Sequence, residues 1–177
     1  ENIGLYSSKI AYICDRIRQS EGIVFIYSQY IDGGAIPIAL ALEEMGITRY
    51  GTSGSLFKKP PTANIDALTN KPQEKGKPFH PAKYIMITGD KKLTSNREKE
   101  MAAVTDNDNT NGERVKVIIV SRAGSEGLDF KNIRQMHILD PWYNINRSEQ
   151  VIGRAVRSKS HCNLPYNKRN VEIYMYG

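Results

Sequence analysis

The segment QVIGRAVR, at positions 150–157, carries the residues of this chain that are best suited to bind an anion. On a helix, Gln150, Gly153, Arg154 and Arg157 fall at i, i+3, i+4 and i+7, which places them on one face. Neither arginine has an acidic residue three or four positions away. Two guanidinium groups without such a partner suit an anion with several oxygens, such as a phosphate chain. A plain solvent-exposed helix face is the alternative.

The helix that carries this pattern is predicted over residues 146–157, with Asn146 as its N-cap and Glu149 as the partner three residues later. Gly153 lies in the helix interior, where glycine costs about 1 kcal/mol relative to alanine. We therefore expect something to approach the backbone closely at Gly153. The opposite face is expected to pack in the core through Val151, Ile152, Ala155 and Val156.

A second candidate site is the glycine-rich turn SRAGSEGLD, at 121–129, which follows a predicted buried strand over 115–120. Gly124 and Gly127 allow backbone N–H groups to face an anion, and Asp129 offers an acceptor for a ribose or an arginine. Ligands of open α/β sheets bind at the carboxyl ends of the strands. We therefore expect both sites at one sheet edge, although a simple strand-to-loop turn is the alternative here.

The chain has no phosphate-binding loop of the form G-x-x-x-x-G-K-[ST] and no acidic pair after a strand that resembles a Mg²⁺ site. The three histidines have no metal-ligand spacing, and His137 is predicted to be a core residue of a strand. No metal ligands are therefore assigned. A chain that can bind phosphates without holding a Mg-nucleotide alone is expected to form half of a composite site.

Apolar patterns alternate between helix and strand along the 177 residues, which predicts one α/β domain with a parallel sheet covered by helices on both faces. Helices are predicted over 5–20, 34–45, 95–104 and 146–157, and strands over 23–27, 47–50, 84–88, 115–120, 135–139 and 171–176. In the first helix, Leu5 and Cys14 are expected on the core face. Ser95 is expected to cap the third helix.

Composition excludes several classes of protein. Hydrophobic residues make up 40% and charged residues 25%, as in ordinary globular domains. The longest apolar stretch spans only 35–42, far short of the roughly twenty residues that a bilayer requires, so no membrane contact is expected. No secretory signal is visible, and Cys14 is expected to be a reduced thiol in the core, so an intracellular, reducing location is expected. The sequence begins with Glu1 rather than Met, so we expect a piece of a longer protein.

Charge is concentrated in one region. The net charge is +6, and residues 51–83 carry six lysines, two acidic residues and five prolines without a sustained helix or strand pattern. This stretch is predicted to be a basic insert in the domain. A solvated surface insertion and a basic arm for nucleic acid are both compatible with its composition.

Four segments, in this order, resemble the motifs of superfamily-2 helicases. They are 25–29 (FIYSQ) for motif IV, 121–129 for motif V, 140–144 (DPWYN) for the segment before motif VI in Swi/Snf-type translocases, and 150–157 for motif VI, Q-x-x-G-R-x-x-R. The chain is identified by this resemblance as a helicase C-terminal, or second RecA-like, domain. The segments 6–10, 26–43 and 169–177 are similar in sequence to helicase-like transcription factors of large DNA viruses. This group includes proteins of the type of the poxvirus early transcription factor small subunit and nucleoside triphosphatase I.

The resemblance implies that an N-terminal RecA-like domain of the same polypeptide supplies the phosphate-binding loop and the Mg²⁺ ligands for ATP. In this chain, Arg154 and Arg157 would be the catalytic groups that reach the γ-phosphate. The other implied nucleotide-site residues are Gly127, Asp129, Gln150 and Gly153. The implied contacts to the backbone of DNA or RNA, which carry no sequence information, are Ser28, Gln29, Gly89, Ser121, Arg122 and Gly124.

The expected function is that of the C-terminal motor domain of a nucleic-acid-dependent ATPase in viral transcription or genome processing, inactive as an isolated fragment. Viral transcription machinery is an expected partner, and host cytoplasm or virion an expected location. A non-catalytic helicase-like scaffold or nucleic-acid-binding module is the alternative. Arg122 stands where DEAD-box motif V usually has Asp, and Gly153 where many Swi/Snf proteins have Asp. These two departures leave DNA and RNA both open.

Overall fold

The computed structural model describes residues 3–51, 54–94 and 96–177. Strands and helices alternate through most of the chain, as the sequence predicts. The helices are α1 (Ser8–Arg18), α2 (Ile36–Glu44), α3 (Arg97–Thr105) and α4 (Ile145–Ala155); the strands are β1 (Ile23–Ser28), β2 (Thr48–Arg49), β3 (Lys83–Ile87), β4 (Val117–Ser121), β5 (Ile133–Ile138) and β6 (Glu172–Met175). A short π-helical turn, Ile31–Ala35, leads into α2.

All six strands are parallel and lie in the order β2-β3-β4-β1-β5-β6. Alternate side chains point to opposite faces of a strand. On β1, Val24 and Ile26 join one hydrophobic cluster with α1 and α2, whereas Ile23 and Phe25 join a second cluster with α3 and α4. The predicted fold class, an α/β domain with a parallel sheet and helices on both faces, is confirmed.

Polar caps set the starts of α1 and α3. The hydroxyl of Ser7 accepts a hydrogen bond from the first turn of α1, so the helix starts after Leu5. Leu5 is 80% exposed, and its predicted place in the core is wrong. Asn96 caps α3 through its side-chain oxygen. The predicted cap of α3, Ser95, lies outside the described residues.

The insert at 51–83 is anchored at its start by one buried carboxylate. Glu43, near the end of α2, accepts hydrogen bonds from the backbone N–H groups of Leu56 and Phe57 and from the hydroxyl of Tyr84. Burial opposes ionisation of Glu43, but the hydrogen bonds that it accepts outweigh burial and lower its pKa. The insert is therefore tied to the sheet rather than freely solvated.

A second group of contacts ties the insert to the amino ends of the strands. The backbone N–H of Ile65 donates to the carbonyl of Gly46, shortly before β2. The side-chain amide of Asn70 donates to the carbonyl of Ser20, shortly before β1, at 2.8 Å. The exposed lysines that follow, Lys71, Lys75 and Lys77, consequently lie near the edge opposite to the carboxyl ends of the strands.

His137 on β5 is fully buried, which confirms its predicted place in the core. Its Nδ1 lies 2.6 Å from the hydroxyl of Tyr176, and its Nε2 lies 2.8 Å from Oε1 of Gln135. Burial, with a smaller contribution from the charge of Arg16, lowers the pKa of His137 to about 4. The imidazole is therefore neutral at pH 7.

This depressed pKa predicts a loss of stability in acid. As pH falls below 6.5, the ordinary value, the unfolded chain binds a proton at His137 before the folded chain does. The resulting loss is about 2 kcal/mol by about pH 5. Urea unfolding at about pH 7.5 and pH 5 should show a larger decrease in wild type than in His137→Gln. Equal decreases would contradict the assignment.

Candidate active site and nucleic-acid interface

The arginine helix, α4, begins one residue before the predicted start and ends two residues before the predicted end. Its N-cap is Asn144, whose side chain accepts a hydrogen bond from the backbone N–H of Asn146, so the predicted cap at Asn146 is wrong. The helix ends at Ala155. Val156 is 43% exposed, and its predicted place in the core is also wrong. The other predicted core residues do pack inward: Val151, Ile152 and Ala155.

Arg157 lies just beyond α4 and forms an ion pair with Asp129. Its Nη1 donates to Oδ2 of Asp129 at 2.7 Å, and its Nε donates to the carbonyl of Gly153 at 3.1 Å. The side chains of Arg157 and Asp129 are 58% and 60% exposed, so solvent screens the pair and limits its contribution to stability. Its main effect is to orient the guanidinium, as expected if Asp129 positions an arginine.

Backbone hydrogen bonds join the loop after β4 to the end of α4. The N–H of Phe130 donates to the carbonyl of Arg154 at 3.0 Å, and the N–H of Asn132 donates to the carbonyl of Ser160 at 2.9 Å. The two predicted candidate sites are therefore brought together. They meet at the C-terminal end of α4, however, and not at the carboxyl ends of the strands, because α4 runs back toward the start of β5.

The rest of the predicted nucleotide face is open. Gln150 is exposed, and Arg154 and Gly153 are partly buried. Within the described part of the chain, no carboxylate lies within 4.0 Å of the Arg154 guanidinium. Apart from its chain neighbours and the backbone of its own helix, a Cβ placed on Gly153 would meet no described atom within 4 Å. The close approach expected at Gly153 is therefore not made by the described residues of this domain.

The glycine-rich turn after β4 is closed by its own hydrogen bonds. The N–H of Gly124, predicted to face an anion, donates instead to the carbonyl of Ser121 at 3.1 Å. A Cβ on Gly124 would lie 2.2 Å from the carbonyl oxygen of Ile87, so only glycine lets the turn pack against the end of β3. Gly127 has φ +69° at the exposed part of the turn, a backbone conformation that favours glycine.

Arg97 holds this turn in place, although the sequence analysis did not single it out. From the first turn of α3, its Nη2 donates to the carbonyl oxygens of Glu126 at 3.1 Å and Gly124 at 3.4 Å. A cation in the first turn of a helix opposes the helix dipole. That unfavourable placement is the signal in the sequence that points to a role for Arg97 outside its own helix.

The six predicted nucleic-acid contacts divide into exposed and buried groups. Gly89 and Arg122 are exposed and Gln29 is partly exposed. The side chains of Ser28 and Ser121 are buried, and the hydroxyl of Ser28 donates to Asp140 at 3.0 Å. Ser28, Ser121 and Gly124 are buried and therefore support the loops from inside the domain rather than forming part of the exposed surface.

Asp140 joins the loops after β1 and β5. Besides the Ser28 hydroxyl, its carboxylate accepts the backbone N–H of Gln29 at 2.5 Å. A small cleft beside it brings Gln29 and Arg122 together with Trp142 and Arg147. Two predicted contact residues thus share one surface with an aromatic and a basic residue that follow β5.

No metal ligands and no membrane-spanning segment are predicted from the sequence, and the structure bears on both points. Across residues 3–51, 54–94 and 96–177, no three His, Cys, Asp or Glu side chains are grouped so as to hold a metal ion. Nor does any helix in those ranges have the length and apolar character to cross a membrane. Cys14 is buried as predicted, and burial raises the pKa of its thiol to about 11.

Comparison with known proteins identifies the family. Residues 62–159 match the helicase conserved C-terminal domain, and the chain belongs to this family. The Termination factor NPH-I homolog of African swine fever virus is 33% identical over 187 residues, which cover 96% of this chain and 26% of the viral protein. A helicase of Acanthamoeba polyphaga mimivirus is 29% identical over 172 residues, and the match covers 97% of this chain and 26% of the mimivirus protein. The chain therefore spans about a quarter of these relatives.

A solved structure shares the fold. The C-terminal part of the Fun30 ATPase domain superimposes with a TM-score of 0.61 at 13% sequence identity, covering 99% of this chain and 43% of that one. The six-stranded parallel sheet with helices on both faces is thus that of a RecA-like helicase domain. This chain is a helicase C-terminal domain that is similar to viral helicases.

The contacts of Arg97 predict a local effect of its removal. Arg97→Ala should raise hydrogen–deuterium exchange several-fold in peptides that cover 121–129, because the turn loses two hydrogen bonds, each worth about 1 kcal/mol. Lys99→Ala, an exposed change on the same helix, serves as the matched control and should leave the exchange unaltered. If Arg97→Ala exchanges like wild type, other contacts hold the turn.

Proposed function

We propose that this domain is the C-terminal motor domain of a nucleic-acid-dependent ATPase, a helicase or translocase that acts in viral transcription or genome processing. The observation that carries the proposal is the ion pair between Arg157 and Asp129, at 2.7 Å. It orients one exposed guanidinium, three residues after a second arginine, Arg154, which lies in the last turn of α4. The name of the African swine fever virus relative, a termination factor homolog, supports the connection with transcription.

ATP with Mg²⁺ is the proposed substrate, and Arg154 and Arg157 are the proposed catalytic groups. Negative charge spreads over the transferred phosphoryl oxygens in the transition state, where an arginine supplied by a partner domain is worth about 10³–10⁵ in rate. Asp129 would act through Arg157 as a positioning residue. Gln150, which lies on α4 with Arg154, would help to order the phosphate contact.

The donor groups on this face fit an anion with several oxygens. The largely exposed guanidinium of Arg157 donates to the carbonyl of Gly153, a residue with open space above it, and Gly127 keeps the neighbouring turn free of a side chain. The described residues provide no cluster of metal ligands. From the membership of this chain in the helicase C-terminal family, we assign the Mg²⁺ ligands and the phosphate-binding loop to an N-terminal RecA-like domain of the same polypeptide.

DNA or RNA is the proposed partner at the carboxyl ends of the strands. Gln29, Gly89 and Arg122 are accessible there and would contact the phosphate backbone, which suits a motor that moves over any sequence. The buried residues of the same loops would hold these contacts in position. A scaffold without catalysis remains the alternative function, but a scaffold has no need of an oriented arginine.

The proposal is tested by ATP turnover of the complete enzyme. Arg157→Ala should lower kcat by about 10³-fold or more with little change in KM, because the contact matters most in the transition state. Arg157→Lys should rescue poorly, since an ammonium group cannot reproduce the planar fork. Asp129→Asn should give a smaller loss. Lys131→Ala, an exposed change in the same loop, is the control.

The double variant of Arg154 and Arg157 should cost much less than the sum of the two single changes, because both groups act on one phosphoryl group. Circular dichroism should show that all variants fold, since these side chains lie outside the core. Near-normal turnover by a folded Arg157→Ala enzyme would overturn the catalytic assignment and favour the scaffold.

The position of the insert predicts how nucleic-acid binding responds to salt. Replacing Lys71, Lys75 and Lys77 by glutamine should leave the slope of log K against log[salt] unchanged, because these lysines lie near the opposite edge of the sheet. Arg122→Gln should reduce the slope by about 1, the value for one phosphate contact. A shallower slope in the lysine variant would show that the insert is a nucleic-acid arm.

A further inference from the structure

Tyr143 has the most exposed large hydrophobic side chain in the described part of the chain, at 93%. It lies between the end of β5 and the start of α4, and so at the carboxyl ends of the strands. A single exposed tyrosine is ordinary on a protein surface. Tyr143 differs from such a residue because its ring lies against the ring of Trp142.

Three side chains form an ordered group, which we call the aromatic platform: Trp142, Tyr143 and Arg147. The ring centroids of Trp142 and Tyr143 are 5.1 Å apart with their planes at 33°. The guanidinium of Arg147 lies 4.7 Å from the centroid of the Trp142 ring. This contact is a cation–π interaction. The Trp142 ring therefore contacts both the Arg147 guanidinium and the Tyr143 ring, and the Tyr143 ring is exposed.

The platform adjoins the proposed nucleic-acid surface. Trp142 and Arg147 line the same cleft as Gln29 and Arg122. The acidic group of that cleft, Asp140, is engaged by the Ser28 hydroxyl and the Gln29 N–H. Two cationic side chains, Arg122 and Arg147, thus share a cleft with Trp142, and the exposed Tyr143 ring lies against Trp142. The group combines positive charge, which suits phosphates, with a flat aromatic face.

We propose that Tyr143, backed by Trp142, stacks on an unpaired base of a nucleic-acid strand at this edge. The inference rests on the proposed function and narrows its substrate to one that presents a single-stranded base here. In a duplex the faces of each base are covered by its neighbours, so only an unstacked base offers a free face. Stacking tolerates every base, which keeps the contact independent of sequence.

The test compares single-stranded and duplex binding by the intact protein. The probe is a single-stranded oligonucleotide that contains 2-aminopurine, whose fluorescence is quenched by stacking, and the comparison is a duplex of the same length. Tyr143→Ala should weaken single-strand binding about 5- to 100-fold, the range for the loss of one stacked base. It should also relieve the quenching and leave duplex affinity unchanged. Tyr143→Phe should retain single-strand affinity within about twofold, since the ring is kept.

A matched control is available in Tyr166, which is 88% exposed and lies in a helical turn shortly before β6, toward the amino ends of the strands. Tyr166→Ala should bind both probes like wild type. Unchanged single-strand affinity in Tyr143→Ala, or an equal loss for single strand and duplex, would overturn the inference. So would a loss of ATP turnover with strand affinity intact, which would assign the platform to contact between protein domains.

Failure of this inference and failure of the proposed function give different results. If the intact protein binds strands and hydrolyses ATP with the expected dependence on Arg157, but Tyr143→Ala has no effect, only the stacking assignment is overturned. If wild type binds neither single strand nor duplex, both are overturned.

Discussion

Burial of the parallel sheet between two layers of helices is the constraint on which the rest of this structure depends. The two central strands, β1 and β4, have neighbours on both sides and helices over both faces, so their residues are almost all buried. Such strands have no room for exposed polar chemistry. Function is consequently confined to the loops that leave the strands and to the outward side of the helices.

Loops placed in this way need anchors, and single polar side chains provide them. Asp140 joins the loop after β1 to the loop after β5, and Arg97 holds the turn after β4 from another helix. Glu43 anchors the start of the insert by accepting the backbone N–H of Leu56. Each anchor satisfies backbone groups of a segment distant in the chain, which costs little core volume and gives the loop one arrangement.

The arrangement separates two surfaces. Loops at the carboxyl ends of the strands carry the proposed nucleic-acid contacts, whereas the pair of Arg157 and Asp129 lies at the far end of α4. α4 itself connects them, because its first turn bears Arg147 and its last turn bears Arg154.

The sequence by itself determined the fold class, because apolar runs such as those of β1 and β4 alternate with helical periodicity and leave few ways to bury a sheet. It also located the glycine-rich turn and the arginine helix, since their residue types are local patterns. The ends of helices were less well predicted: several polar residues lie near each end, as with Asn144 and Asn146, and only the folded backbone decides which one caps.

Only the tertiary structure decided which side chains meet. Arg157 and Asp129 are 28 positions apart, and no helix or strand period relates them. The same holds for Arg97 and the turn that it anchors, and for the placement of the insert near the amino ends of the strands. The reason is that periodicity describes neighbours on one element, whereas contacts between elements depend on how the helices pack on the sheet and where each loop is held.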